Sequence, residues 1–244
     1  YVGQKLKKCQ ENGLASIHRP LPADVSQEKL LQTVRELNAD PAVHGIIVQL
    51  PVPKHIDPEI IIYAVDPKKD ADGLHPLNQG IVGRLKSWKE ITEAGVPLPC
   101  TPAGVIHMLL VEKIPVAGAH AVVVGRSTLV GKPVAQLLLS LDATVTIVHS
   151  RTRNMLEMCR SADILVAALG QPDFIRKEHV RPGAVVIDVG ISRTSAGIRG
   201  DVAFSEVEPI ADRITPVPGG VGAMTVAMLC LNTVVAAERA FLTK

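Results

Sequence analysis

The chain has 244 residues, enough for one large or two small domains, and 47% of them are apolar, so a sizeable core is available. A net charge of +2, with acids and bases interspersed, argues against a polyanion-binding surface. With only 2% aromatic residues there is no base-stacking platform either, and nucleic acid is not an expected partner.

Four cysteines, Cys9, Cys100, Cys159 and Cys230, are scattered without a Cys-x-x-Cys pair. That pattern suggests neither a zinc knuckle nor a disulfide framework, and a reducing compartment is the default. The chain opens at Tyr1 inside a helical pattern, so a true N-terminus or a targeting peptide is expected to precede it. Residues 1–12 read as a polar helix stopped by Gly13. Ala15 to Leu21 has the character of a strand. Ser26 caps a helix whose Leu30, Leu31, Val34 and Leu37 fall at helical spacing. Gly45 to Leu50 reads as a buried strand stopped by Pro51, and Asp57-Pro58 as an N-cap with proline at the first helical position. Asp66 to Gly80 is full of turn residues and reads as a loop. Val96 to Pro102 looks like a linker, with Thr101 capping the helix that follows; the hinge between two domains is expected there.

From Ala121 the pattern is regular. Strands are predicted at 121–124, 144–148, 164–168 and 184–189, with helices near 133–140 and 154–161. Alternation of this kind gives a parallel sheet covered by helices, here a doubly wound dinucleotide-type domain. Residues 215–222 are too rich in proline and glycine for a regular element. The apolar run Val221 to Ala237 carries Thr225, Asn232 and Thr233; it is barely long enough to span a bilayer, and a buried helix is the better reading. No membrane association is expected.

The stretch Ala121-Val-Val-Val-Gly-Arg-Ser-Thr-Leu-Val-Gly-Lys-Pro133 organises the second half. A glycine turn between a strand and a helix gathers backbone N–H groups and a positive helix end, which suits a phosphate. The spacing is not Gly-x-Gly-x-x-Gly, and an ordinary tight turn between strand and helix reads equally well. At the end of the second strand, His149-Ser-Arg-Thr152 holds no acid. With Arg126 and Arg151, Ser150 suits a 2′-phosphate, which favours NADP over NAD; the alternative is that both arginines are solvated. Asp188-Val-Gly-Ile191 ends a later strand at the same edge, where its backbone is placed to meet the nicotinamide side or is simply a strand end.

Tyr1 and Lys5 share a helix face and form a possible proton-transfer unit, or else part of a solvated basic helix. A lysine acts as a base only once burial or a cationic neighbour has helped it lose its proton. Gln49 is the polar residue of Gly45-Ile-Ile-Val-Gln-Leu50 and stands where a ligand would sit, although its amide could equally satisfy a loop backbone. Asp72 offers a carboxylate to a ring with N–H donors, or serves as an Asp-Gly turn. His75 lacks partners at metal-ligand spacing, so no metal is proposed, and no Gly-x-Ser-x-Gly nucleophile motif is present.

Taken together these stretches resemble the bifunctional methylenetetrahydrofolate dehydrogenase/methenyltetrahydrofolate cyclohydrolase (FolD) family. The matching segments are Tyr1-Val-Gly-Gln-Lys5, Gly45 to Pro53, Lys69 to Pro76, Pro99-Cys-Thr-Pro102, Val124-Gly-Arg-Ser127 with Val130 to Pro133, His149 to Thr152, Val186 to Gly190, and Pro216 to Gly222 with Met224-Thr225. The Val-Gln-Leu-Pro and Pro-Val-Pro-Gly-Gly-Val-Gly motifs are highly specific. The resemblance implies two α/β domains, the second a Rossmann-like doubly wound parallel sheet, with a folate and NADP cleft between them. It implies a catalytic domain over 1–101 completed by a C-terminal helix over 225–244, and an NADP domain over 102–224. It further implies a homodimer, tetrahydrofolate derivatives as substrates and a cytoplasmic location. Lys5 would be the general acid/base, assisted by Tyr1 and Gln49. Asp72 would hold the pterin, and Pro218 and Gly219 would line the folate site. Gly125, Arg126, Ser127, Ser150 and Ile191 would bind NADP.

This chain departs from the pattern in three places. The resemblance implies a strand and a helix before the tyrosine that this sequence does not include, so that it is either a fragment or has its true start unseen; as written, Tyr1 would carry an ammonium with a pKa of about 8. Ala223 replaces a proline, and Ala71 and Leu74 replace larger neighbours of Asp72. A monofunctional dehydrogenase and a non-catalytic folate-binding form are the competing readings. The intact spacing from Tyr1 to Lys5 argues against the first, and the retained Gln49 and Asp72 against the second.

Overall fold

A computed structural model describes residues 2–195 and 197–242. The chain divides into two compact units. The first comprises residues 1–84, 92–100 and 226–244; the second comprises 85–91 and 101–225.

The first unit begins with α1 (Val2–Glu11), closed by Gly13 in a left-handed conformation with φ of 73°. α2 (Gln27–Ala39) starts where predicted, with the Ser26 hydroxyl accepting from the Lys29 N–H. α3 (Pro58–Ala64) is capped by Asp57. Leu30, Leu31 and Val34 of α2 pack on Val43, Ile46, Ile56, Ile61 and Val65. Each such side chain contributes about 1.5–3 kcal/mol by leaving water. The Lys69 ammonium donates to the carbonyls of Leu37, Asn38 and Asp40 and so closes the carbonyl end of α2.

Three expectations fail in this unit. Residues 45–50 form no strand; Ile46 makes one isolated parallel bridge to Asp70. A strand needs a ladder of partners, and residue 46 alone finds one. Ala15 to Leu21 has no regular structure for the same reason. The predicted loop at 66–80 turns into α4 (Pro76–Arg84). The Asp70 carboxylate accepts from the N–H groups of Leu74 and His75, and Pro76, with no N–H to satisfy, opens the helix. α5 (Trp88–Ala94) follows and was not predicted.

α6 (Cys100–Val111) starts one residue before its predicted cap. The Thr101 hydroxyl instead pairs with that of Thr225 at 2.9 Å. The second unit then builds a parallel sheet from β1 (His120–Val124), β2 (Thr144–Val148), β3 (Ile164–Ala167), β4 (Val185–Asp188) and, after a short antiparallel hairpin of β5 (Ser192–Thr194) with β6 (Gly197–Arg199), β7 (Arg213–Ile214). The sheet is five-stranded, in the order β2-β1-β3-β4-β7. α7 (Gly131–Leu139) and α8 (Met155–Arg160) are the crossovers on either side of β2. β3 and β4 are buried throughout, as central strands covered on both faces must be. α9 (Phe204–Val207) completes the unit.

α10 (Val221–Leu242) starts at the last glycine-loop residues and is longer than predicted. It is not the buried helix expected. It buries Val221, Val226, Met228 and Leu229, whereas Leu231, Val234 and Phe241 are exposed. By length and composition alone it could cross a membrane, a test that core helices of soluble proteins also pass.

Candidate functional site

In the first unit the chemistry gathers on α1 and on the turn after residue 69. Lys5 is the buried residue of α1, 6% exposed on an otherwise polar helix. Its charge acts on Asp72, which it pulls downward against two opposing influences. Burial, the largest, and the neighbouring Asp70 raise the Asp72 carboxyl from 3.8 to about 6. The structure therefore brings Lys5 and Asp72 together.

The acids of Lys68-Lys-Asp-Ala-Asp-Gly73 divide their work. Asp70 is consumed by structure: besides Leu74 and His75 it accepts from the Asn78 amide at 2.9 Å. The Asp72 carboxylate accepts no hydrogen bond among the described residues, so the turn reading belongs to Asp70 and the Asp72 side chain remains available to a ligand. Asp72 also receives nothing from Gln49. The Gln49 side chain is exposed, and its amide nitrogen donates to the Leu50 carbonyl at 2.8 Å. It thus satisfies a loop backbone. Tyr1 lies outside the described residues.

Sequence reasoning missed Asn232. This α10 amide donates to the carbonyls of Ala71 and Leu98, both at 2.9 Å. The Cys100 N–H donates to the Asp72 carbonyl at 3.1 Å, and its thiol to the Ala71 carbonyl at 3.2 Å. The backbone at Asp72 is therefore held through its own carbonyl and through that of Ala71 before it. Burial first, and Asp72 second, push the Cys100 thiol well above its ordinary 9.0, so it is an inert neighbour. The signal was an asparagine inside the most apolar run of the chain.

In the second unit the sheet order reverses at β1, with β2 on one side and β3 on the other. The carboxyl ends of β1 and β3 therefore border a switch-point crevice, where ligands bind in open α/β sheets. Gly125 leaves β1 with φ of 122°, and a Cβ there would collide with the Ala168 carbonyl. A Cβ on Gly131 would collide with the Gly125 carbonyl. Both glycines thus permit a close turn into α7.

The helix end is used differently from the sequence expectation. The Ser127 hydroxyl accepts from the N–H groups of Val130 and Gly131 at 3.1 and 3.2 Å, and the Ser127 carbonyl accepts from Lys132. These helical donors are satisfied internally and do not point to a ligand. The N–H groups of Arg126 to Leu129 donate to nothing among the described residues. Four consecutive N–H groups are thus left open to an anion such as a pyrophosphate. Ser150 is exposed beyond β2, and Arg126, Arg151 and Arg153 make no ion pair among the described residues. Guanidinium groups without an ion pair among the described residues suit a 2′-phosphate.

Ile191 is exposed beyond β4, and its Cδ1 lies against Gly222 at the end of the glycine loop. That loop is pinned to β4 by Thr215, whose hydroxyl accepts from the Asp188 N–H at 2.8 Å. Pro218 and Gly219 are exposed on it. Gly125, Ser127, Ser150, Ile191 and the 215–220 loop thus share the carboxyl edge of one sheet.

A parallel sheet with an unpaired N–H cradle at its switch point, and a buried lysine–carboxylate cluster in a second unit, define a nucleotide-dependent α/β enzyme. Residues 99–241 match the NAD(P)-binding domain model of tetrahydrofolate dehydrogenase/cyclohydrolase, and residues 1–72 match its catalytic domain model. The chain belongs to this family, the bifunctional dehydrogenases and cyclohydrolases of tetrahydrofolate one-carbon metabolism. It is 51% identical to bifunctional protein FolD 2 of Paracoccus denitrificans, over 98% of this chain and 78% of that protein. It is likewise 51% identical to FolD of Acetivibrio thermocellus, over 98% of this chain and 81% of that protein. The crystal structure of FolD from Campylobacter jejuni superposes with a TM-score of 0.90 at 42% identity, covering 98% of this chain and 83% of the other. The Trypanosoma brucei FolD structure, complexed with NADP cofactor and inhibitor, has a TM-score of 0.90 at 41% identity, covering 99% and 82%.

Proposed function

We propose that this protein oxidises 5,10-methylenetetrahydrofolate to 5,10-methenyltetrahydrofolate with NADP+ and hydrolyses the product to 10-formyltetrahydrofolate, with Lys5 as general acid/base. The observation that carries the assignment is Lys5 itself, buried on a polar helix and paired electrostatically with an otherwise unbonded carboxylate. NADP+, when bound, accepts the hydride that leaves the methylene carbon. The substrate nitrogens share the resulting positive charge, so the protein contributes position more than proton transfer to this step. Arg126 to Leu129 and Ser127 receive the pyrophosphate, Ser150 with Arg126 and Arg151 the 2′-phosphate, and Ile191 the nicotinamide end. Asp72 accepts from the N–H edge of the pterin and fixes its register.

Hydrolysis needs a base. Water attacks the methenyl carbon, Lys5 takes its proton, and the same ammonium returns a proton to the nitrogen that leaves as the ring opens. Gln49 and Tyr1 assist by orienting the water and Lys5. Pro218 and Gly219 line the folate side.

The test is turnover of methylenetetrahydrofolate with NADP+ and NAD+ side by side. The expected result is NADP+-dependent appearance of methenyl absorbance followed by its decay. Appearance without decay would leave only the dehydrogenase. The protein is also proposed to be a homodimer, a reading supported by the exposed sheet edge at β2, where Ile147 faces solvent. Sedimentation is expected to give about twice 26.0 kDa.

A further inference from the structure

Two buried carboxylates stand at the carboxyl edge of β3 and β4, and the reaction described above uses neither. Asp188 ends β4 and is 3% exposed. One of its oxygens accepts from the N–H groups of Gly190 and Asp201 at 3.0 and 2.8 Å, and the other from Val202 at 2.9 Å. Asp201 is fully buried, and its Oδ2 accepts from Leu169 and Gly170 at 2.6 and 2.9 Å. Its Oδ1 is the buried side-chain polar atom left without a hydrogen-bond partner among the described residues. No lysine or arginine pairs with either acid among those residues. Side chains on Gly190 and Gly200 would collide with the Asp201 and Asp188 carboxylates, so both glycines let the backbone close around the acids.

The pair laces together three segments: the turn at 169–170, the loop at 189–191, and residues 200–202. Two buried acids without a cation are a costly way to hold a turn. Sheet order says what that turn and loop face. The 2′-phosphate groups lie at the β1 and β2 end, so a dinucleotide crossing the β1/β3 crevice runs its other half over the ends of β3 and β4. Those ends are the ones the acids hold.

We infer that Asp188 and Asp201 are positioning residues for the nicotinamide half of the cofactor, acting through the 169–170 turn and the 189–191 loop. The inference rests on the dinucleotide reading of this unit. Its test compares two ligands on the full chain by calorimetry: NADP+, and 2′,5′-ADP, which carries the 2′-phosphate but no nicotinamide. Asp201→Ala removes the acceptor of two N–H groups and is expected to weaken NADP+ about tenfold while 2′,5′-ADP stays within about twofold. Should that variant fail to fold, the isosteric Asp188→Asn carries the test, because its amide nitrogen cannot accept from the N–H groups that one carboxylate oxygen now takes, and the same selective loss is expected. A purely structural role would lower the melting temperature without separating the two ligands. Equal loss of both ligands, or loss of neither, overturns the inference and leaves the dinucleotide reading standing. A wild-type chain that binds neither ligand overturns both.

Discussion

Lys5 and Asp72 show how one residue type takes its meaning from its neighbours. The same α1 carries Lys7 and Lys8, which face solvent and reach Glu11 in exposed pairs of negligible worth. Lys5, on the buried face, meets a desolvated carboxylate instead. Lys5→Met is expected to lower the cyclohydrolase rate by about 10²–10⁴ and to leave the dehydrogenase rate within a few-fold, because only the water step needs a base. Following methenyl formation and decay in one trace measures both. Asp72 gives a pH prediction. With its carboxyl at about 6, it is ionised at neutral pH and loses its charge below that value. KM for methylenetetrahydrofolate is expected to rise as pH falls through 6, and Asp72→Asn to flatten the profile. The stability effect has the opposite sense. The folded state binds the proton more tightly than the unfolded state, whose value is near 3.8, so the carboxyl contributes stability below 3.8 that is lost as pH rises through 6. Thermal unfolding of Asp72→Asn should therefore gain on wild type as pH rises across that window.

At the scale of elements, the informative cases are those where a side chain decides what a segment does. Asn232 fastens two loop segments to α10, and its loss leaves the Leu98 carbonyl without a donor among the described residues and the Ala71 carbonyl with the weak Cys100 thiol alone. Asn232→Ala is expected to cost about 1–3 kcal/mol in chemical denaturation and to raise KM for the folate, with KM for NADP+ unchanged. Elements whose signal is local are legible in the amino-acid sequence. Ser26, Asp57 and Gly13 mark helix ends by their own chemistry, β1, β3 and β4 hold apolar runs, and β2 is a β-branched run alternating threonine with apolar residues. Residues 45–50 have the same apolar character and form no strand, because a strand exists only with a partner. α4 was hidden because its start depends on Asp70, whose bonds to Leu74, His75 and Asn78 no periodicity reveals. The helix end at Gly131 was expected to offer its N–H groups outward. Ser127 takes them, and the N–H groups left without a partner among the described residues are those of 126–129.

At the scale of the whole molecule, cofactor preference is the property most open to test. The proposed 2′-phosphate seat would gather Arg126 from the end of β1 with Ser150 and Arg151 from the end of β2, two segments joined by sheet register. Ser150→Asp combined with Arg151→Ala puts an acid where the phosphate would lie. The ratio of kcat/KM for NADP+ over NAD+ is expected to fall at least tenfold, about 1.4 kcal/mol or more, as a charge-assisted pair becomes a repulsion.

The amino-acid sequence by itself determined the alternation of β1 to β4 with α7 and α8, though not β5 to β7 or α9, together with the glycine turn, the missing acid after β2, and the set of motifs that carries the family. These are properties of contiguous residues, set by backbone conformation and by side-chain type at fixed spacing. Tertiary structure decided which of several similar groups is buried, engaged or left open. It buries Lys5 and not Lys7 or Lys8, engages the Asp70 carboxylate and not that of Asp72, and ties up the N–H groups at the start of α7 and not those of 126–129 among the described residues. It also set Asp188 beside Asp201, thirteen residues on. Burial and proximity assign those roles, and both arise from residues far apart in the chain meeting in space.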